Sequence, residues 1–183
     1  MIMNLGELAL VGKHYVNNSM AAGIASRHVD IRNESIRQSL TGFQGEHRLE
    51  YVASVRGIEF INDSKATTIN AVWYALEKTN RPIIWIAGGQ DKGSDYSELL
   101  ETAIRKVKGI ICLGINNTKI IGTFAKYIPL IFESQSAEEA VNIAYKLGQK
   151  GDTVLLSPGC PSFDLFENYE DRGNQFKRAV INL

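Results

Sequence analysis

Gly57-Ile58-Glu59-Phe60-Ile61-Asn62-Asp63-Ser64-Lys65-Ala66-Thr67-Thr68 is the stretch whose reading decides the fold. In its first part Ile58 and Phe60 flank Glu59, the apolar/polar alternation of a half-buried strand. Beyond Thr67, residues Ala71, Val72, Ala75 and Leu76 recur at helical spacing. The polar cluster between them therefore lies where a strand ends and a helix begins. Open α/β sheets bind ligands in that crevice, with free backbone N–H groups at the helix start available to an anion. Asp, Ser and Thr are also ordinary helix caps. One cap needs one such residue and does not explain Lys65 among them, so the cluster reads as a site.

Outward from this stretch, strand and helix alternate. Residues 49–55 and 58–61 read as two strands joined at Arg56-Gly57, a turn signal, which predicts a hairpin. Residues 82–87, 109–113, 128–132 and 152–157 read as further strands, with helices predicted over 97–107, 117–125, 137–147 and 167–181. Apolar strands alternating with helices predict an α/β fold: a Rossmann-like, mostly parallel sheet with helices on both faces. Residues 1–46 differ and read as helical throughout. They include a small-residue segment, Asn17-Asn18-Ser19-Met20-Ala21-Ala22-Gly23-Ile24-Ala25, and an apolar stripe at Ile31, Ile36 and Leu40. A few short helices cannot bury a core alone. They are either an appendage or the tail of something larger, and the predicted division is 1–46 and 47–183.

Composition narrows the partners. The 183 residues carry 20 Lys+Arg against 20 Asp+Glu, so no broad field exists for nucleic acid or an anionic membrane. A bound anion must be held by a few placed groups. Cys112 and Cys160 form neither a disulfide framework nor a metal-ligand spacing, which fits a reducing compartment. No signal peptide opens the chain and no apolar run has membrane-spanning length, so a soluble, cytoplasmic protein is expected. His14, His28 and His47 stand apart from any catalytic partner, and no metal-ligand cluster stands out.

Strand ends of a parallel sheet share one rim. Three of them carry unusual polar sequence: Asp63-Ser64-Lys65-Ala66-Thr67, Gly88-Gly89-Gln90-Asp91-Lys92-Gly93 and Ser157-Pro158-Gly159-Cys160-Pro161-Ser162-Phe163-Asp164. The glycine loop lets backbone approach a ligand and delivers Lys92, but it has neither Walker A nor Gly-x-Gly-x-x-Gly spacing. The third loop offers Ser157 and Ser162; Phe166 reads as helix-face core, while Phe163 and Tyr169 read as exposed. Two lysines and several hydroxyls on one rim suit a small dianion such as a dicarboxylate. Arg48, within Glu46-His47-Arg48-Leu49-Glu50, reads by composition as part of a solvated charge cluster.

These motifs in this order, with His47-Arg48-Leu49-Glu50 before them and Phe166-Glu167-Asn168-Tyr169-Glu170-Asp171-Arg172-Gly173 after them, resemble the C-terminal region of the Mur ligases. Order and spacing are most similar to the D-glutamate-adding branch, from about Gly12 to the end. The resemblance implies a three-domain, ATP- and Mg-dependent ligase of peptidoglycan precursor synthesis. It would convert the carboxylate of UDP-N-acetylmuramoyl-L-alanine to an acyl phosphate that the amine of D-glutamate attacks. Residues 1–46 would then be the last helices of the central ATP-binding domain, packing on its absent part, and 47–183 the domain that brings the amino acid. Such a piece is not expected to catalyse alone. Position by position, the resemblance implies Lys65 at the reaction centre and Thr67, Lys92, Ser162, Phe163 and Tyr169 around D-glutamate. It places Asn18, Arg48 and Asp63 toward ATP. His14-Tyr15 departs from the His-Asn usual in relatives, and Asn18 is preferred for the adenine by its distance to Ala21-Ala22. The alternatives are another Mur ligase, a folylpolyglutamate synthase relative, or a free-standing α/β module that binds a small dicarboxylate.

Overall fold

The computed structural model describes residues 13–42 and 45–183. The chain divides into two compact units between Glu46 and His47. The expectation of helix over residues 1–12 lies outside the described residues.

The first unit contains α1 (Lys13–His28) and α2 (Asn33–Gly42). α1 ends at a left-handed Asp30, with Ile31 N–H donating to the Ser26 carbonyl and Asp30 N–H to that of Arg27. That pattern closes the helix as a Schellman cap, with Asp in the place usually taken by glycine. The small residues of α1 have a use: Gly23 is buried, and a Cβ there would lie 4.0 Å from Leu40 of α2. Ile36 is buried, whereas Met20, Ile24 and Val29 are exposed.

The second unit is a six-stranded sheet in the order β1-β2-β6-β3-β4-β5. Its strands are β1 (Glu50–Val55), β2 (Ile58–Asn62), β3 (Ile83–Gly88), β4 (Val107–Leu113), β5 (Ile131–Ser134) and β6 (Thr153–Gly159). β1 and β2 form the predicted antiparallel hairpin, and every other pairing is parallel. The hairpin turns on Arg56 and Gly57, both at positive φ, as a two-residue turn matched to strand twist requires.

Side chains of β3 alternate between two cores. Ile83, Trp85 and Ala87 face α3 (Ile69–Lys78), α4 (Leu100–Lys106) and α5 (Thr118–Phe124), whose Val72, Leu76, Ala103 and Phe124 complete that layer together with Leu99 just before α4. Ile84 and Ile86 face the other way, toward α6 (Ala137–Leu147) and α7 (Tyr169–Ile181). Trp85 also donates its indole N–H to the Ser157 carbonyl at 2.8 Å, so the largest buried ring keeps a polar partner.

Several boundaries differ from expectation, three of them for a reason the structure shows. The helix predicted over 97–107 is a 3₁₀ turn, Tyr96–Leu99, followed by α4, because Val107 passes directly into β4. The strand predicted over 128–132 begins later, at Ile131. Ile128 is buried but closes α5 instead, its N–H donating to the Phe124 carbonyl. α7 begins at Tyr169 rather than 167, since the Asn168 side chain caps it by accepting from Asp171 N–H at 2.7 Å.

Phe60 is fully buried in the core beneath α6 and α7. Phe60→Ala is expected to cost about 3–5 kcal/mol in urea unfolding, with the m value unchanged. A loss below about 1 kcal/mol would mean that this layer is not the packed core described.

Candidate functional site

Because β2, β6 and β3 are adjacent and parallel, the three polar loops at their carboxyl ends meet on one rim. Backbone bonds tie them together. Asp63 N–H donates to the Leu156 carbonyl at 2.7 Å, Gly159 N–H to Ala66 at 2.8 Å, and Gln90 N–H to Pro161 at 2.9 Å. Gly89, at φ +127°, lies so close that any Cβ would collide with the Pro161 carbonyl.

Arg172 of α7 locks the same loops from within. It is 1% exposed and donates Nε–H to Ser64 Oγ at 3.0 Å, Nη2–H to the Ser64 carbonyl at 2.8 Å and Nη1–H to the Cys160 carbonyl at 3.1 Å. Ser64 in turn donates its hydroxyl to the Tyr169 carbonyl at 2.8 Å. Burial pulls the guanidinium pKa down to about 10, against the supporting charge of Asp164, so it remains a cation at neutral pH. No role for Arg172 was legible from its motif alone. Its signal was spacing: Arg172, Phe176 and Val180 share one helix stripe, and a charge on a core stripe demands acceptors.

Several groups on this rim are left unspent by the fold. Ser162 is 1% exposed and its Oγ has no hydrogen-bond partner. Lys92 is exposed at the tip of the glycine loop, and Phe163 is 62% exposed. Thr67 is half-buried beside Thr68, whose hydroxyl caps α3. The Lys65 ammonium lies 5.1 Å from the centre of the Tyr169 ring, a cation–π contact that holds it on the rim. Lys65, Thr67, Lys92, Ser162, Phe163 and Tyr169 thus stand on three loops that are bonded to one another and on the start of α7. Asn18 lies exposed on α1, in the first unit.

Arg48 is exposed between His47 and Leu49, both at positive φ. That corner is held by side chains. Leu49 N–H donates to Asp63 Oδ1 at 3.1 Å, and His47 N–H to Glu50 Oε2 at 3.0 Å. Asn62 Nδ2 bridges His47 Nδ1 at 2.8 Å and Glu50 at 2.9 Å, and Lys177 pairs with Glu50 at 3.1 Å. The buried His47 ring packs edge-on to Tyr169 and leaves no room for a Cβ at Gly173. Asp63 is buried and accepts from the Ser157 hydroxyl at 2.9 Å. Burial outweighs these hydrogen bonds and the charge of Arg48, and pushes its carboxyl up to about 7. Cys160 is buried as well, with Tyr96 Oη 3.0 Å from its sulfur. Among the described residues no group of three His, Cys, Asp or Glu could hold a metal ion, and no helix is long and apolar enough to cross a membrane.

Comparison with known proteins identifies the family of this domain. A family model described as the Mur ligase, glutamate ligase domain matches residues 47–160. The chain is 54% identical over 182 residues to the UDP-N-acetylmuramoylalanine--D-glutamate ligase of Christiangramia forsetii, covering 99% of this chain and 41% of the relative. It is 51% identical to the protein of the same name from Porphyromonas gingivalis, covering 100% of this chain and again 41% of the relative. The chain therefore spans less than half the length of these curated relatives. Among solved structures, MurF from Acinetobacter baumannii superposes with a TM-score of 0.68 at 19% identity, covering 96% of this chain and 39% of that one. A bifunctional folylpolyglutamate synthase/dihydrofolate synthase with Mn, AMPPNP and L-glutamate bound gives 0.59 at 16% identity, covering 89% and 38%. At these identities the likeness is one of fold.

Asp63 has a measurable signature. Its folded pKa, about 7, lies above the ordinary carboxyl value of 3.8. Its contribution to stability is therefore complete below pH 4 and is lost as pH rises through about 7. Asp63→Asn is expected to remove that pH dependence, so the parent loses stability relative to the variant between pH 5 and pH 8. Parallel stability curves over that range would rule out the raised pKa.

Proposed function

The chain belongs to the Mur ligase family, and from that membership we propose that it is the acceptor-binding, C-terminal part of an ATP-dependent ligase that joins D-glutamate to UDP-N-acetylmuramoyl-L-alanine. The observation that carries the reading is the rim itself. Three loops fixed to one another offer a free ammonium on Lys92 and a buried, unpartnered hydroxyl on Ser162. Such groups suit a small dicarboxylate, since an ionised acceptor makes the strongest use of an ammonium and a hydroxyl. Relatives about half identical to the chain bear the name of that ligase.

In the proposed reaction an oxygen of the substrate carboxylate bonds to the γ-phosphorus of ATP as the bond from that phosphorus to the bridging β–γ oxygen breaks, and ADP leaves with the bonding pair. The amine of D-glutamate then attacks the acyl carbon, phosphate leaves with the C–O bonding pair, and the nitrogen loses a proton. Lys92, Ser162 and Thr67 hold the two carboxylates of D-glutamate and fix where its amine points. Phe163 and Tyr169 flank the acceptor with apolar surface. Lys65 acts at the reaction centre, its ammonium near the charge that builds on the reacting carboxyl group. Proximity is the main contribution of such a domain: it turns the amine's attack into a step between positioned groups.

ATP and Mg, when bound, supply the phosphoryl group and neutralise its charge. Of the residues present in the second unit, Arg48 is exposed and can take part in holding the nucleotide. Asp63 has two acceptor positions engaged by Leu49 and Ser157, and a carboxylate has about four, so capacity for a ribose hydroxyl remains. Residues 1–46 are read as the end of the central ATP-binding domain. The exposed Met20, Ile24 and Val29 support this, as apolar surface of the kind that packs on the rest of such a domain. A cytoplasmic setting follows from the nucleotide-linked substrates.

The acceptor reading is tested by assaying the full-length ligase with D-glutamate, L-lysine and D-alanyl-D-alanine in competition. Turnover with either of the latter two in preference to D-glutamate would overturn it. Lys92→Ala should raise the KM for D-glutamate about 10- to 100-fold, the worth of a charge-assisted hydrogen bond, with the KM for ATP nearly unchanged. Equal effects on both would contradict the role. The 183-residue chain alone should bind ATP far more weakly than the full-length enzyme, and micromolar affinity in calorimetry would contradict that.

A further inference from the structure

Lys92 is flanked by an acid. A carboxylate one residue away is a natural partner for a free ammonium, and the pairing would compete with any anionic ligand. The structure shows how that pairing is avoided. Asp91 Oδ1 accepts from the N–H groups of Ser94 at 2.9 Å and Gly93 at 3.2 Å, which folds the carboxylate back over its own turn. Its second oxygen, Oδ2, is taken by Lys119 Nζ of α5 at 3.0 Å. Both oxygens of Asp91 are thereby engaged, and Lys92 makes no hydrogen bond or ion pair with any described residue. The other side of the loop is fixed by the bond from Gln90 N–H to the Pro161 carbonyl. Lys92 is the member of this loop left free to meet a ligand. The Lys119 ammonium and the two N–H groups hold Asp91 below the usual carboxylate range despite the opposing effect of burial, so it is ionised at neutral pH.

We propose that Asp91 and Lys119 are positioning residues for the acceptor: Asp91 shapes the turn that displays Lys92, and Lys119 neutralises the Asp91 carboxylate so that it competes less with the acceptor for the Lys92 ammonium. The inference rests on the reading of Lys92 as a ligand of an acceptor carboxylate. The ion pair itself is half exposed, so it adds little to folding stability. Its effect lies in which anion Lys92 meets.

The test is a pair of substitutions, Lys119→Met and Asp91→Asn, and their combination in the full-length ligase, with Lys92→Ala and Asp91→Ala alongside. Lys119→Met frees Asp91 and is expected to raise the KM for D-glutamate about fivefold to tenfold, with the KM for ATP and the melting temperature nearly unchanged. Asp91→Asn keeps the oxygen that Gly93 and Ser94 need but carries no charge, so it should raise the D-glutamate KM no more than about twofold, whereas Asp91→Ala, which loses the turn as well, should raise it further; equal KM values for the two variants would overturn the turn-shaping role. In the double variant the competing charge is gone, and the KM should return to within about twofold of the parent. Raising the salt concentration should shrink the Lys119→Met defect, because exposed charges are screened. A D-glutamate KM unaltered by Lys119→Met, or a double variant as impaired as Lys119→Met, overturns the inference while leaving the Lys92 role standing. If Lys92→Ala itself leaves the D-glutamate KM unchanged, the role of Lys92 falls and this inference falls with it.

Discussion

The rim depends on one buried cation. Arg172 gives up water on entering the interior, a cost of several kcal/mol for an ion that finds no partner. It recovers that cost through one hydroxyl and two main-chain carbonyls, those of Ser64 and Cys160. Those carbonyls sit just past the ends of β2 and β6, where ladder bonding stops and oxygen atoms would otherwise be buried without donors. Cation and carbonyls thus satisfy one another, and neither loop can move without exposing the other's unpaired atom. A lysine at position 172 could supply the charge but not three N–H groups directed at three separate acceptors.

Much of this was legible in the sequence. The alternation around Phe60 and the apolar run from Ile83 to Ala87 placed the strands, and parallel topology then placed Lys65, Lys92 and Ser162 on one rim without further information. What was not legible comes from contacts between residues distant in the chain. Arg172 and Ser64 are 108 residues apart, and Lys119 and Asp91 are 28 apart, so no local pattern couples them. The strand predicted over 128–132 was misplaced for a related reason. Ile128 has the burial of a strand residue, but it is buried under α5, and a period of two cannot tell those cases apart.

The corner at His47 and Leu49 is the costly part of the structure. Left-handed backbone at two non-glycine residues costs on the order of 1–3 kcal/mol each. It is sustained by Glu50, Asn62 and Asp63, each of which directs a side-chain atom at the corner. The backbone of the exposed Arg48 between them is thereby fixed by its neighbours. Composition had made Arg48 look like one member of a solvated charge cluster. The role toward the nucleotide proposed for Arg48 rests on the family resemblance.

Cys160 stands two residues from Ser162, at the centre of the proposed acceptor loop, which would ordinarily invite covalent chemistry. It is 1% exposed, and burial raises its thiol pKa, with the bond from Tyr96 opposing but not outweighing that shift. Cys112 is buried too, its pKa pushed up to about 12 by burial and the charge of Glu133. Thiol-directed electrophiles need an accessible thiolate, and the native rim offers none. Alkylation of this chain therefore acts as a clock for opening of the fold around each thiol, and a reactive-fragment strategy against the site would have to aim at the lysines.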